Sequence, residues 1–297
     1  AFATLVKSDL RLPSGLYTSL SMYLLFAIGL KGGVALSETS LAEMALPALA
    51  TLFLGCLTAL IAFFVARRIG RFSTADAASP AAHYGSVSAV TFIAAQSFAR
   101  DQGIAFEGYL PALVAVLEVP AILLALFLAG RGQGGSFREL AREMITGRTV
   151  ILLVGGLAIG AVAARDGYEQ VEPLFGDLFK GALTFFLLEM GLLAAQQLKA
   201  LGKNALFLGL FGVVVPLING GIGVAAATAV GMTPGGAGVV GAMAASASYI
   251  AAPAAVRVAI PEANLGLSLG TSLGVTFPFN LAVGIPFFLV LAQAIAR

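Results

Sequence analysis

Long stretches without a charged side chain divide the sequence into segments of the length that a membrane helix requires. A helix needs about 20 apolar residues to cross the hydrocarbon core of a bilayer. Asn204–Val256 is long enough for two crossings, with a turn predicted near Gly231–Gly236. The remaining segments, two of which contain one glutamate each, are predicted to cross once: Leu12–Leu30, Met44–Ala66, Ala77–Ala99, Gly108–Gly130, Thr149–Ala164, Gly181–Leu198 and Ala263–Ala296.

These segments are nine complete crossings, and a tenth is predicted at the start of the sequence. Ala1–Val6 is apolar and reads as the tail of a helix that is otherwise missing. The predicted fold class is therefore an all-α polytopic membrane protein with ten transmembrane helices, the first of them truncated. In the order of this count, Leu12–Leu30 is the second span and Ala263–Ala296 the tenth.

The distribution of Lys and Arg predicts the orientation of these spans, because short cytoplasmic loops carry an excess of positive charge. If the chain starts outside, most of its 17 Lys and Arg residues fall in inside loops. The longest cytoplasmic loop is then the basic, Gly-rich segment Gly130–Gly147. The Lys and Arg residues predicted outside are Lys31, Arg100, Arg165, Lys180 and Arg297.

Composition agrees with a membrane protein and excludes several other classes. The sequence is 59% hydrophobic and 11% charged, whereas about a quarter of the residues of a soluble domain are charged. A net charge of +2 without a dense basic segment argues against nucleic-acid binding. The single Cys56 excludes a disulfide framework, and the single His83 excludes a multi-histidine metal site. No nucleotide-binding Gly-rich motif ending in Lys-Ser/Thr appears.

The two halves of the sequence resemble each other at a nearly constant offset of about 160 residues. Five spans per half is an odd number, so the second copy is predicted to be inverted in the membrane. The predicted division is a first repeat at 1–130, a cytoplasmic linker at 131–147 and a second repeat at 148–297. The matching segments are Leu24–Gly29 with Phe186–Gly191, Ser86–Ser88 with Ser246–Ser248, and Leu117–Pro120 with Val275–Pro278.

Inverted repeats are typical of secondary transporters, whose sites lie between the repeats near the middle of the membrane. The fourth and ninth spans each carry a Ser-x-Ser motif beside small residues, and Pro253 is predicted to break the ninth helix. The N-terminus of a broken helix suits a small anion, and the C-terminus of the preceding half suits Na⁺. The alternative is that these serines bond within their own helices or join neighbouring ones.

A second matched pair lies in the fifth and tenth spans. Pro120 frees the carbonyl of Val116 and Pro278 that of Gly274. An acid inside a span is a functional candidate, because its burial costs several kcal/mol unless it is paired or coordinated. Glu118 is therefore the first candidate to support a Na⁺ site. Glu189 is the next candidate, with a structural hydrogen bond between helices as its alternative, and for His83 we expect an ordinary buried imidazole.

Four motifs resemble the sodium-dependent bicarbonate transporter family of cyanobacteria and other bacteria, and the resemblance covers essentially the whole sequence. The central loop is short for that family. The motifs are Tyr23–Val34 (YLLFAIGLKGGV), Ala81–Phe92 (AAHYGSVSAVTF), Ala244–Val258 (AASASYIAAPAAVRV) with Pro261–Asn264, and Ser272–Pro286 (SLGVTFPFNLAVGIP).

The resemblance implies a mobile core and a gate domain, with the interrupted fourth and ninth helices crossing in the core. It further implies Na⁺/HCO₃⁻ symport by an elevator-type motion, with Na⁺ as the coupling ion and no other cofactor. The implied assembly is a homotrimer in the bacterial plasma membrane. In cyanobacterial members of the family, a trimeric PII-like protein inhibits transport from the cytoplasmic face. Carried onto this sequence, the implied bicarbonate site comprises Gly85, Ser86, Val87, Ser88, Ser246, Ala247, Ser248 and Tyr249.

Depth in the membrane and the proline-freed carbonyls suggest four residues as hypothetical Na⁺ ligands: Thr91, Glu118, Thr276 and Asn280. Other functions remain open at this point. A Na⁺/H⁺ antiporter could use Glu118 as its titrating acid, and a symporter of a small organic anion could share the same scaffold. A passive channel would show flux without sodium dependence. A membrane enzyme would need a nucleophile with a base or a metal cluster, and it has little support because the single histidine has no second candidate ligand beside it.

Overall fold

The computed structural model describes residues 13–118, 120–130, 142, 145–197, 201–202, 204–249 and 251–296. Helices joined by short turns make up this part of the chain, and no strand occurs in it. The predicted tail of the first span and most of the predicted cytoplasmic loop lie outside the described residues.

Fourteen α-helices are numbered in chain order within the described residues. The first six lie before the central loop and the other eight after it. Their bounds are α1 Ser14–Ser37, α2 Leu41–Phe64, α3 Thr74–Gly85, α4 Ala89–Asp101, α5 Leu110–Glu118, α6 Pro120–Leu128, α7 Arg148–Glu169, α8 Phe179–Gln197, α9 Ala205–Ala229, α10 Pro234–Ala244, α11 Ala251–Ala259, α12 Leu265–Thr271, α13 Phe277–Phe279 and α14 Ile285–Ile295.

Seven helical stretches in the described residues are long and apolar enough to cross a membrane. Each overlaps a span predicted from the sequence, and α9 ends at Ala229, just before the predicted turn near Gly231–Gly236. The stretches are Gly15–Ser37, Ala42–Ile69, Leu110–Leu128, Val150–Glu169, Pro173–Gln197, Ala205–Ala229 and Leu265–Ile295. The fourth and ninth predicted spans are absent from this set because each is divided into two shorter helices, α3 with α4 and α10 with α11.

The last span differs from the expectation of a helix disturbed at Pro278. Two π-helical turns, Ser272–Thr276 and Asn280–Gly284, flank α13 and keep the stretch Leu265–Ile295 helical throughout. A π-turn shifts the hydrogen-bond register by one residue, so the helix accommodates a proline without breaking. Lys31 also differs from expectation, because it lies inside α1 rather than in a loop.

Glycines allow α1 and α7 to pack backbone against backbone. A Cβ at Gly33 would lie 2.2 Å from the carbonyl oxygen of Leu157, and one at Gly160 would lie 2.2 Å from that of Leu30. Membrane helices associate through such small-residue contacts, since lipid offers no hydrophobic driving force between them. This contact joins the first half of the chain to the second.

Buried apolar side chains form two clusters, and each interrupted helix contributes to both. The first half of one helix, α3, supplies Ala81 and Tyr84 to one cluster, whereas α4 supplies Phe92 to the other. The second interrupted helix has the opposite arrangement. Its first half, α10, supplies Val240 to the cluster that contains Phe92, and its second half, α11, supplies Ala252 to the cluster that contains Tyr84. The interruptions therefore lie at the boundary between the two clusters.

Candidate functional site

The first interruption separates α3 from α4 at the Ser-x-Ser motif. Ser86 adopts an extended backbone conformation with φ −91° and ψ 171°, which ends α3 at Gly85. The Oγ of Ser88 accepts a hydrogen bond from the backbone N of Thr91 at 3.1 Å and so caps α4. Gly85 is required by close packing, because a Cβ there would lie 2.5 Å from the Cβ of Ala59.

The second interruption separates α10 from α11 and has a similar form. The Oγ of Ser248 accepts a hydrogen bond from the backbone N of Ala252 at 3.3 Å. Pro253 lies in the first turn of α11, where a helix has no internal partner for the amide that proline lacks. The break that the sequence predicted at Pro253 therefore lies a few residues earlier, between Ala244 and Ala251.

Direct hydrogen bonds join the two interruptions. The backbone N of Ser88 donates to the Oγ of Ser246 at 2.8 Å, and the backbone N of Ser248 donates to the carbonyl oxygen of His83 at 2.7 Å. The hydroxyl of Ser88 donates to the Oη of Tyr249 at 3.0 Å. Residues about 160 positions apart in the sequence thus form one polar crossing inside an apolar protein.

A small cavity adjoins this crossing. Its volume is about 20 Å³, which is room for about one water-sized group. Glu118 reaches it from α5, and one of its two carboxylate oxygens, Oε2, is buried without a hydrogen-bond partner among the described residues. The predicted site residues that line it are Val87, Ser88, Glu118, Ser248 and Tyr249.

The remaining predicted bicarbonate residues contribute to the structure around the crossing. Ser86 donates a long hydrogen bond of 3.4 Å to the carbonyl oxygen of Glu118. Ser246 donates to the carbonyl oxygen of Met243 at 2.7 Å, while Ala247 is buried among apolar neighbours. Gly85, Ser86, Ser246 and Ala247 do not line the cavity.

Three of the four predicted sodium ligands, Thr91, Thr276 and Asn280, do not line this cavity either. The hydroxyl of Thr276 donates to the carbonyl oxygen of Gly212 at 2.7 Å and accepts from the hydroxyl of Tyr84 at 2.7 Å. Gly212 lies four residues before Pro216, so Thr276 satisfies a carbonyl that the proline frees. Both hydroxyl functions of Thr276 are thus engaged.

Asn280 lies in the last span and hydrogen-bonds the backbone of the second interruption. Its Nδ2 donates to the carbonyl oxygen of Ala245 at 2.8 Å, and its Oδ1 is buried without a partner among the described residues. Thr91 is buried in the first turn of α4. Asn280 thus fixes the backbone beside Ser246, while its free oxygen remains available to a ligand.

His83 is a buried imidazole, as expected, but only one of its two ring nitrogens has a hydrogen-bond partner in the described part of the chain. Its Nδ1 hydrogen-bonds the carbonyl oxygen of Ser79 at 2.8 Å, which requires the proton on Nδ1. Its Nε2 is buried without a partner among the described residues. His83 does not line the cavity at the crossing.

Some lining residues were not predicted from the sequence. Ser21, Leu24 and Leu25 reach the cavity from α1, and Phe186 reaches it from α8. For Leu24, Leu25 and Phe186 the signal was the matched pair Leu24–Gly29 and Phe186–Gly191, which was used to detect the repeat, and Ser21 lies outside that pair. These segments bring equivalent parts of the two halves to the same cavity.

The fold and the crossing define a polytopic helical membrane protein with a polar site at two interrupted helices. A family model described as the Na⁺-dependent bicarbonate transporter superfamily matches residues 1–293, and the chain belongs to this superfamily. The resemblance predicted from the sequence motifs is thereby confirmed, and the protein is a transporter rather than an enzyme. A comparison with curated proteins finds no match.

Proposed function

We propose that this protein carries bicarbonate together with Na⁺ into the cell and binds both ions at the crossing of the two interrupted helices. The observation that carries the proposal is the mutual hydrogen bonding of the two Ser-x-Ser motifs beside the buried carboxylate of Glu118. Family membership supports sodium and bicarbonate as the transported ions.

Bicarbonate fits the donors at this crossing. It is a small planar anion whose oxygens accept hydrogen bonds, and the first turns of α4 and α11 supply backbone amides with the positive end of the helix dipole. Ser88, Ser248 and Tyr249, which each carry a hydroxyl group, line the same cavity. A cavity of about 20 Å³ is small for this anion, so loading requires the two interruptions to separate.

Sodium fits the carboxylate of Glu118. An ionised carboxylate is costly inside a membrane unless a cation or hydrogen bonds compensate for it, and its Oε2 has no protein partner in the described part of the chain. Among the described residues, no three His, Cys, Asp or Glu side chains cluster, so neutral oxygens would complete the shell. Asn280 Oδ1 and Thr91 remain candidate Na⁺ ligands. Thr276 is a weaker candidate, because its hydroxyl already makes two hydrogen bonds.

The larger architecture of the proposal follows the family resemblance. We infer ten helices in two inverted repeats, 1–130 and 148–297, joined by a linker at 131–147, with a mobile core, a gate domain and an elevator-type motion. The contribution of each interrupted helix to both apolar clusters supports a pseudo-symmetric pair. A homotrimer in the bacterial inner membrane, an outside N-terminus, a cytoplasmic central loop and a PII-like partner are proposals on the same basis.

Uptake by purified protein in proteoliposomes tests the proposed function. We expect an inward Na⁺ gradient to drive uptake of labelled bicarbonate. A K⁺ gradient of the same size should drive no uptake. Collapsing the pH gradient with a protonophore should leave the initial rate within about twofold, because the coupling ion is Na⁺ rather than H⁺.

The alternative functions give different results in the same vesicles. A Na⁺/H⁺ antiporter would move protons in response to Na⁺ without bicarbonate, and this outcome would overturn the proposal. A symporter of an organic anion would accumulate a carboxylate such as acetate or pyruvate in preference to bicarbonate. Bicarbonate flux that is indifferent to Na⁺ would indicate a passive channel.

A further inference from the structure

A second cavity lies at the end of α1 that carries Lys31 and has a volume of about 130 Å³. Two cations line it, Lys31 from α1 and Arg100 from α4, and its lining within the described residues includes no Asp or Glu. Gln96 and Ser97 add neutral polar groups, and the Oγ of Ser97 is buried without a partner among the described residues. We call this cavity the cationic vestibule.

The cationic vestibule and the cavity at the crossing are arranged in series. Both are lined by the same four helices, α1, α4, α5 and α8, and Ile93 of α4 lines both cavities. On α1 the lining passes from Leu24 through Ile28 to Lys31, which are successive positions on one helix face. On α8 it passes from Phe186 at the crossing to Phe179, seven residues earlier, at the vestibule.

In the described part of the chain, no carboxylate lies within ion-pair distance of Lys31 or Arg100. Two neighbouring cations, by contrast, each form an ion pair with a carboxylate. Lys180 pairs with Asp101 at 2.5 Å, and Arg165 pairs with Glu169 at 3.5 Å. Aromatic rings hold the two unpaired cations instead: Lys31 Nζ lies 4.8 Å from the ring centroid of Phe179, and Arg100 Cζ lies 5.7 Å from that of Phe106. A cation–π contact orients a charge without cancelling it.

Acidic side chains border a different space. A larger cavity of about 220 Å³ shares Lys31 with the vestibule and is lined by Arg165 and by three carboxylates, Glu38, Glu169 and Glu172. Arg100 lines the vestibule and not this larger cavity, so the lining of the vestibule keeps a net positive charge. Clefts lined by one sign of charge raise the local concentration of the opposite ion.

From this arrangement we infer that the cationic vestibule is an anion-recruiting site, where Lys31 and Arg100 hold a small oxyanion before it passes Ile93 to the crossing. For bicarbonate as the anion, the inference rests on the proposed function. Lys31 and Arg100 act by attraction and do not touch an ion bound at the crossing, so they should determine how readily the anion arrives rather than how fast the loaded protein moves.

Uptake kinetics test the inference in proteoliposomes. At saturating Na⁺, the double variant Lys31→Gln/Arg100→Gln should raise the KM for bicarbonate by about 3- to 10-fold and leave kcat within about twofold. In the wild type, KM should rise with ionic strength, since the screening length falls from about 30 Å at 0.01 M salt to about 10 Å at 0.1 M. The double variant should lose most of this salt dependence.

Matched variants separate recruitment from structural damage. Lys180→Gln and Arg165→Gln remove cations that are already paired, and they should keep the wild-type KM. Lys31→Arg and Arg100→Lys preserve the charge and should stay near the wild type. A double variant with wild-type KM and salt dependence would overturn the inference, as would an equal loss in the charge-preserving variants. If the double variant does not fold, the KM of Lys31→Gln and the dependence of the wild-type KM on ionic strength test the inference instead.

A labelling experiment decides the inference even if the proposed function is wrong. In a Cys56→Ala background, Lys31→Cys should react faster with a sulfonate-bearing methanethiosulfonate than with a trimethylammonium-bearing one. Adding Arg100→Gln should lower that rate ratio about 3- to 10-fold. An unchanged ratio contradicts the vestibule whatever the protein transports, whereas a changed ratio without bicarbonate uptake retains an anion site and rejects the proposed substrate.

Discussion

Replacement of Glu118 by glutamine should reduce Na⁺-driven bicarbonate uptake by about 100-fold. Glu118 is 3% exposed, lines the cavity at the crossing and presents a carboxylate oxygen without a protein partner in the described residues. Loss of one partner of a buried charge pair costs about 2–5 kcal/mol, and about 2.7 kcal/mol corresponds to two factors of ten. The expected loss appears as a higher Na⁺ requirement, measured as the Na⁺ dependence of initial uptake rates.

The matched control for this change is Glu189→Gln. Glu189 is also a buried acid inside a span, but it does not line the cavity. Uptake should therefore stay within about threefold of the wild type. A folded Glu118→Gln protein with the normal Na⁺ dependence would show that the cation binds elsewhere.

The second large effect is expected for Ser88→Ala and Ser248→Ala, each of which should raise the KM for bicarbonate by about 10-fold. Both serines line the cavity, and their hydroxyls cap the helix that follows. A hydrogen bond to a charged group is worth about 1.5–3 kcal/mol, and tenfold corresponds to about 1.4 kcal/mol. Uptake at varied bicarbonate and saturating Na⁺ measures the change.

Ser268→Ala provides a control for the loss of a buried serine. The Ser268 hydroxyl bonds that of Ser79 at 2.8 Å and does not line the cavity. Its loss should affect stability more than KM. Equal KM values in the wild type, Ser88→Ala and Ser248→Ala would mean that the anion does not bind between the interruptions.

Much of the fold follows from the sequence because the membrane imposes a simple requirement on helix length. Charge-free segments predicted the seven long helices, and the two Ser-x-Ser motifs marked the helices that the structure divides. The exact place of the second interruption was not predictable from Pro253. A proline is tolerated in the first turn of a helix, so its position alone does not tell whether the break precedes it or lies at it.

The polar contacts at the site depend on tertiary structure and were less accessible to sequence reasoning. No pattern within the sequence indicates that Thr276 bonds the Gly212 carbonyl that Pro216 frees. Likewise, Lys31 and Arg100 were interpreted as loop charges that determine orientation, because counting charges does not show which of them find carboxylate partners. The structure distinguishes them from the paired Lys180 and Arg165.

Equilibrium binding of labelled bicarbonate to the purified protein tests the central claim most directly, because it needs no vesicle and no gradient. The two ions are proposed to share one site, so each must strengthen the binding of the other by the same factor. We predict that Na⁺, compared with K⁺ at the same ionic strength, tightens bicarbonate binding at least about 10-fold, and that Glu118→Gln abolishes this difference. Bicarbonate binding of equal strength in Na⁺ and K⁺ would contradict the account.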